Sequence, residues 1–241
     1  MSSIRSELAT LADSTYRDFT APLVPTVDPH RILGVRTPAL RKYARTLARK
    51  DPDKARAFIS EPLPHDTYDE MNLHGMLIGL LAQTPEEAFE MLEAFLPAID
   101  NWATCDLIRV PVLKHDLGAM LSHIEKWVSA APEYMVRFAV IQLMTLFLDE
   151  AFHPEQLETV VRINRPEYYI NMARAWYFAT ALAKQPQRLC PCLKQSRLYW
   201  IAGHTTKPCK KLEKADALPL SRKHIFRVSR FSSYMGSLYC A

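Results

Sequence analysis

Glycine is scarce in this chain, with only 6 among 241 residues against 17 prolines. That ratio argues against a turn-rich sheet protein and for helices punctuated by proline. No stretch of sustained apolar/polar alternation is present, so strands are not expected. A basic-then-apolar leader is absent from Met1–Leu11, which excludes a visible secretory signal. The longest nearly apolar run, Phe138–Leu148, carries Gln142 and Thr145 and is too short to span a bilayer. The expected location is the cytoplasm.

Cysteine is rare where it would matter and crowded where it does not. Cys105 stands alone in the body, while Cys190, Cys192, Cys209 and Cys240 lie near the end. With His204 the late group suggests zinc, but the spacing matches no standard ligand set, so no metal site is expected. Charge divides the same way. Residues 191–241 hold ten Lys and Arg against two acids, a net of +8. The body to residue 190 holds 20 against 24, or −4, so a nucleic-acid reading from the basic pI would rest on the tail alone.

What is present is a succession of proline-opened, apolar-periodic segments. Ser2–Phe19 reads as a first helix, and Pro22, Pro25 and Pro29 make a non-helical connector. Thr37 reads as an N-cap with Pro38 at the first helical position, and the helix behind it is Ala39–Lys50. That helix turns Leu40, Tyr43 and Leu47 inward, with Arg36, Arg41, Lys42 and Arg45 around it. Asp51–Ile59 is a short partner, and Asp66–Leu81 is longer, with Gly75 and Gly79 placed for close helix–helix approach. Thr84-Pro85-Glu86-Glu87 opens Glu86–Phe95. Pro111 starts Val112–Leu121, with Ile124–Ala130 after it. Pro132 opens a helix with Val136, Val140, Leu143 and Phe147 on one face, and Pro154 opens another. Pro166 opens Tyr168–Lys184. Paired helices of about 10–18 residues with short joints predict an all-α fold, an α-solenoid of helix pairs. The solenoid would occupy residues 1–190, leaving 191–241 as an irregular tail.

The stretch Ile99–Asp106 carries the candidate chemistry. Asp100 or Asn101 can cap a helix that presents Trp102 and Asp106, four residues apart, on one face. Taken alone, Trp102 could fill a core and Asp106 be solvated or paired. Trp176 lies on an apolar stripe, and Arg137 could pair with Glu133 one turn before it. Trp127 and Trp200 show that tryptophan alone carries little message.

In order, the chain shows GVRTPALRKYA, IDNWATCD, VRFAVIQLM and YYINMARAWYFATALAK. This series resembles the DNA alkylation repair glycosylases built from HEAT-like repeats, the AlkD-type alkylpurine glycosylases, over about residues 1–190. The resemblance implies a curved superhelical shell whose concave face grips double-stranded DNA. It implies hydrolytic excision of cationic N3- and N7-alkylated purines by a monomer, without metal or cofactor. On it, Asp106 matches the catalytic aspartate, and Trp102 and Trp176 the aromatic pair lining the cleft. Arg137 matches the arginine beside them, expected to hold a flanking phosphate, and Tyr16 a tyrosine of the first helix. Two other readings stand beside it: a non-catalytic scaffold for DNA structures, and a protein-binding scaffold, which suits the −4 body.

The tail departs from the family, which tends to end in a segment like LDxWTHNKxxQKxxES. Codons compatible with Ala202–Ala217, shifted by one base, encode WTHNKTMQKARESRR. Two of three bases in each shifted codon are constrained by this protein, so chance agreement over that length is small. A single-base frameshift near residues 185–197, in the gene or in its reading, is the expectation. The tail's basicity and cysteines would then carry no functional message.

Overall fold

A computed structural model of the chain describes residues 3–185. The expectations for the tail, its frameshift and its Cys/His group lie outside the described residues. Within them the protein is all-α, with eleven α-helices, short 3-10 turns and no strand. None of these helices is long and apolar enough to cross a membrane.

The first expected helix is two. α1 (Ile4–Ala9) and α2 (Ser14–Thr20) are separated because Asp13 caps α2, its carboxylate accepting from the Tyr16 N–H at 3.1 Å. At the same break Asp13 donates its own N–H to Gly34 O, and Ala12 bridges to Val35. Gly34 is required there. Its φ is +90°, and a Cβ would lie 2.5 Å from the Asp13 carbonyl.

α3 (Thr37–Lys50) begins one residue earlier than expected. Thr37 is its first helical residue, not its cap, and the Thr37 hydroxyl meets the Tyr16 hydroxyl at 3.3 Å instead. α4 (Pro52–Ile59) is capped by Asp51. α5 (Tyr68–Leu81) opens with a reciprocal Thr67/Glu70 capping box, and α6 (Pro85–Phe95) is capped by Thr84. α7 (Trp102–Leu107) is capped by Asn101, whose side chain accepts from Thr104 N at 2.8 Å. The two helices expected after Pro111 are instead a 3-10 turn, Pro111–His115, and one helix, α8 (Leu117–Val128). Asp116 decides this by accepting from Ala119 N at 2.8 Å, which starts the helix there. α9 (Glu133–Leu146), α10 (Glu155–Arg162) and α11 (Tyr168–Lys184) follow Pro132, Pro154 and Pro166.

The described helices fall into two compact units, one of residues 3–123 with 130–138, the other of 124–129 with 139–185. In the first unit α5 is the central element and packs against α3, α4, α6 and α7. Leu40, Ala44 and Leu47 of α3 meet Leu73, Met76, Leu77 and Leu81 of α5, with Ile4 and Leu8 closing the core. The two glycines of α5 permit the approach of the chain leaving α7. A Cβ on Gly79 would lie 1.7 Å from the Arg109 carbonyl, and one on Gly75 3.0 Å from Ile108. In the second unit α10 lies against α11 through Arg174, whose guanidinium donates to the Val160 and Val161 carbonyls of the last turn of α10. Burial lowers the Arg174 pKa.

Candidate active site

The site is built from the N-terminus of α7 outward. Asn101 caps α7 and also donates to the Asp100 carboxylate and to Thr104 Oγ1, both at 2.9 Å. Thr104 Oγ1 in turn donates to Asn72 Oδ1 of α5 at 2.6 Å. Asp100 is paired with Arg31 at 2.7 Å, and Arg31 also donates to the His65 and Asp66 carbonyls. These bonds tie α7, α5 and the proline-rich connector into one frame. The sequence carries the cap but not these long-range partners.

One turn further, Asp106 is 1% exposed and Arg137, from α9, is fully buried. The guanidinium grips the carboxylate with two parallel bonds, Nε to Oδ1 at 2.8 Å and Nη2 to Oδ2 at 2.6 Å. This is the bidentate geometry for which arginine is suited. Arg137 therefore does not present its charge to a surface phosphate, as expected from the sequence. Its neighbour Phe138 is buried too, because α9 is covered on nearly every face from Tyr134 to Met144. The Val136/Val140/Leu143/Phe147 stripe is in the core, but a stripe alone could not show that the opposite face is covered as well. Cys105, buried between these elements, has its thiol pushed well above its usual range by burial and by the Asp106 charge.

Trp102 is half-buried. Its indole N–H donates to Leu23 O at 2.8 Å, and its ring packs on the cluster of Val24, Val27, Ile32 and Tyr68. Tyr16 is also half-buried, stacked with Phe19 at 6.3 Å and covered by the Arg36 guanidinium at 5.2 Å. Tyr68 lies in the same cluster as Trp102. Burial pushes its phenol pKa up, and nearby Tyr16, Asp69 and Asp100 act in the same direction. Sequence reasoning missed Tyr68, and its only signal was a place just inside a capped helix. Tyr16, Trp102, Asp106 and Arg137 all belong to the first unit. Trp176 belongs to α11 in the second, half-buried, with its carbonyl accepting from Thr180. No cluster of three or more His, Cys, Asp or Glu suited to a metal occurs among the described residues.

Two further buried polar groups were not expected. Asp69 of α5 is 1% exposed and accepts backbone N–H bonds from Leu33 and Val35, each at 2.7 Å, and from Gly34 at 3.4 Å. Burial raises its pKa even against these three donors. His65 and His74 share a hydrogen bond of 2.9 Å, flanked by Phe58 on His65 and Phe95 on His74.

Fold and site together define an all-helical protein that keeps a carboxylate–guanidinium pair in its interior beside a half-exposed aromatic rim. The chain belongs to the DNA alkylation repair enzyme family, whose model matches residues 4–198. Membership assigns it to the repair of alkylated DNA. No curated protein and no solved structure gives a significant match.

Proposed function

We propose that the chain hydrolyses the N-glycosidic bond of cationic N3- and N7-alkylated purines in duplex DNA, with Asp106 as its key carboxylate. The observation that carries this reading is the Asp106–Arg137 pair. Burying such a pair seldom stabilises a fold more than well-packed apolar side chains of similar volume would. Its presence in a repair-family chain is therefore better explained by chemistry than by packing. Alkylation at N3 or N7 makes the purine a cationic leaving group. Bond breaking then leaves positive charge on the sugar, which a carboxylate held in a water-poor setting stabilises. The same carboxylate can orient or deprotonate the attacking water.

Arg137 takes a positioning role in this proposal, fixing both oxygens of Asp106 in place of holding a phosphate. The Trp102 hydrogen-bonding edge is committed to Leu23, so what it offers a ligand is its ring. The ring of Trp102 would favour a cationic base by about 0.5–2 kcal/mol. Tyr16 would contact the duplex at the same rim. The reading takes residues 1–190 as a HEAT-like repeat domain and 191–241 as an out-of-frame tail. It takes the substrate as double-stranded DNA, with a monomeric chain and no cofactor.

The burial of Asp106 favours one rival, a scaffold that binds DNA without cleaving it, in which the ion pair is structural. The test is release of free 7-methylguanine from methylated duplex by the full chain, with Asp106→Asn/Arg137→Gln as comparison. The double variant removes both charges and so leaves neither buried alone. Release by the wild type, with a loss of about 10²–10³-fold in the double variant, supports the proposal. Equal release by both removes Asp106 from the chemistry. Duplex binding without release establishes the scaffold.

A further inference from the structure

α3 carries a run of cations that reach no carboxylate. Arg5, Arg31, Arg36, Lys54 and Arg56 each reach a carboxylate. Thr37–Lys50 contains no acid at all, and Lys42, Arg45 and Arg49 are exposed on it. Among the described residues these three have no ion pair. At spacings of three and four they form a single line on one helix face, where like charges repel and weaken the helix. Arg49, in the last turn, gains from the helix dipole, but Lys42 and Arg45 stand too far inside to share that benefit. A body that is −4 over residues 1–190 thus sets three unpaired positive charges in line on one helix face.

The line also has a direction. α3 starts where the Thr37 hydroxyl meets the Tyr16 hydroxyl and Arg36 covers the Tyr16 ring, so it leads away from the aromatic rim. Lys42 to Arg49 is about 10 Å of helix axis at 1.5 Å per residue. Phosphates of one strand succeed each other every ~3.4 Å along a duplex, so the line matches about three of them.

We propose that Lys42, Arg45 and Arg49 form a phosphate-tracking surface that holds one strand of the duplex on the flank of the rim beginning at Tyr16. The proposal rests on the DNA reading and adds the surface that supplies its non-specific affinity. Phosphate contacts of this kind position a duplex without reading its sequence.

The test is fluorescence anisotropy of the full chain with a labelled, undamaged duplex of about 20 base pairs from 50 to 200 mM KCl. The wild type is compared with Lys42→Gln/Arg45→Gln/Arg49→Gln. A control replaces three carboxylate-paired cations, Arg5→Gln/Lys54→Gln/Arg56→Gln. Glutamine keeps helix propensity, and circular dichroism checks that each variant is folded. The expected result is a salt slope shallower by about 3 and an affinity at 100 mM KCl weaker by at least ~10-fold, in the α3 variant only. Equal slopes in wild type and α3 variant overturn the α3 surface while leaving the DNA reading standing. An equal loss in the control assigns the effect to net charge and overturns it too. A wild type that does not bind duplex, including one that binds only anionic vesicles, overturns both this surface and the DNA reading.

Discussion

α5 and the α7–α9 pair both bury charged or titratable groups, and they do it by opposite means. On α5, Asp69 is held by three backbone N–H groups of the connector, and His74 by another histidine. Across α7 and α9, Asp106 is gripped on both oxygens by a side chain that carries the opposite charge. Backbone donors cannot leave without unfolding the turn that offers them, so Asp69 is a structural carboxylate. A guanidinium sits on a chain of rotatable bonds, and its grip is a property of one residue. The difference teaches which buried acid can be given to chemistry. It is the one whose partner can be altered while the backbone stays in place.

The largest effect expected concerns that partner. Asp106→Ala should cost about 3–5 kcal/mol, because it takes from the buried Arg137 cation the carboxylate that pairs with it on two bonds. Adding Arg137→Met should recover most of the loss. Urea titration of both variants checks this, and a double variant as unstable as the single one would show that the two sides of the comparison do not differ.

Asp69→Asn should cost less, about 2–3 kcal/mol, since an amide oxygen keeps part of the bonding to Leu33 and Val35 but loses the charge. No second substitution elsewhere should rescue it, because its donors are main chain. Base release per folded molecule should be unaffected. A fall in release at full folding would make Asp69 part of the chemistry.

The smallest effect is in pH. Burial pushes His74 down to about 3, with the neighbouring His65 acting in the same direction. An unfolded histidine titrates near 6.5, so between these values the unfolded chain binds more protons at this site than the folded one. Stability from a neutral His74 is complete above about pH 6.5 and is lost as pH falls toward 3. At pH 5 the loss is about 2 kcal/mol. The urea midpoint should drop between pH 7 and 5, and drop less in His74→Gln. An NMR titration showing His74 protonated at pH 6 would contradict the burial argument.

How much of this was legible depends on distance along the chain. Pro85, Pro132 and Pro166 marked helix starts correctly, as did the Thr84 cap and, of the two caps offered for α7, Asn101, because a cap acts on N–H groups two or three residues away. The break at Asp13 was missed although Asp13 is itself a good cap. Apolar spacing from Ile4 to Tyr16 ran through it, and the deciding bond to Gly34 lies 21 positions off. Thr37 was misplaced for a similar reason, since its hydroxyl is taken by Tyr16.

The sequence by itself determined the helical class, most of the helix starts, the apolar stripes and the family. Each of these is encoded in local periodicity, in short-range capping, or in motif order. Only the tertiary structure decided that Arg137 faces Asp106, that Tyr68 packs in one cluster with Trp102, and that Lys42, Arg45 and Arg49 are left unpaired. Those outcomes depend on which elements pack together. Asp106 and Arg137 are 31 positions apart, and the contact between them is created by the packing of α7 against α9, which no helical period records.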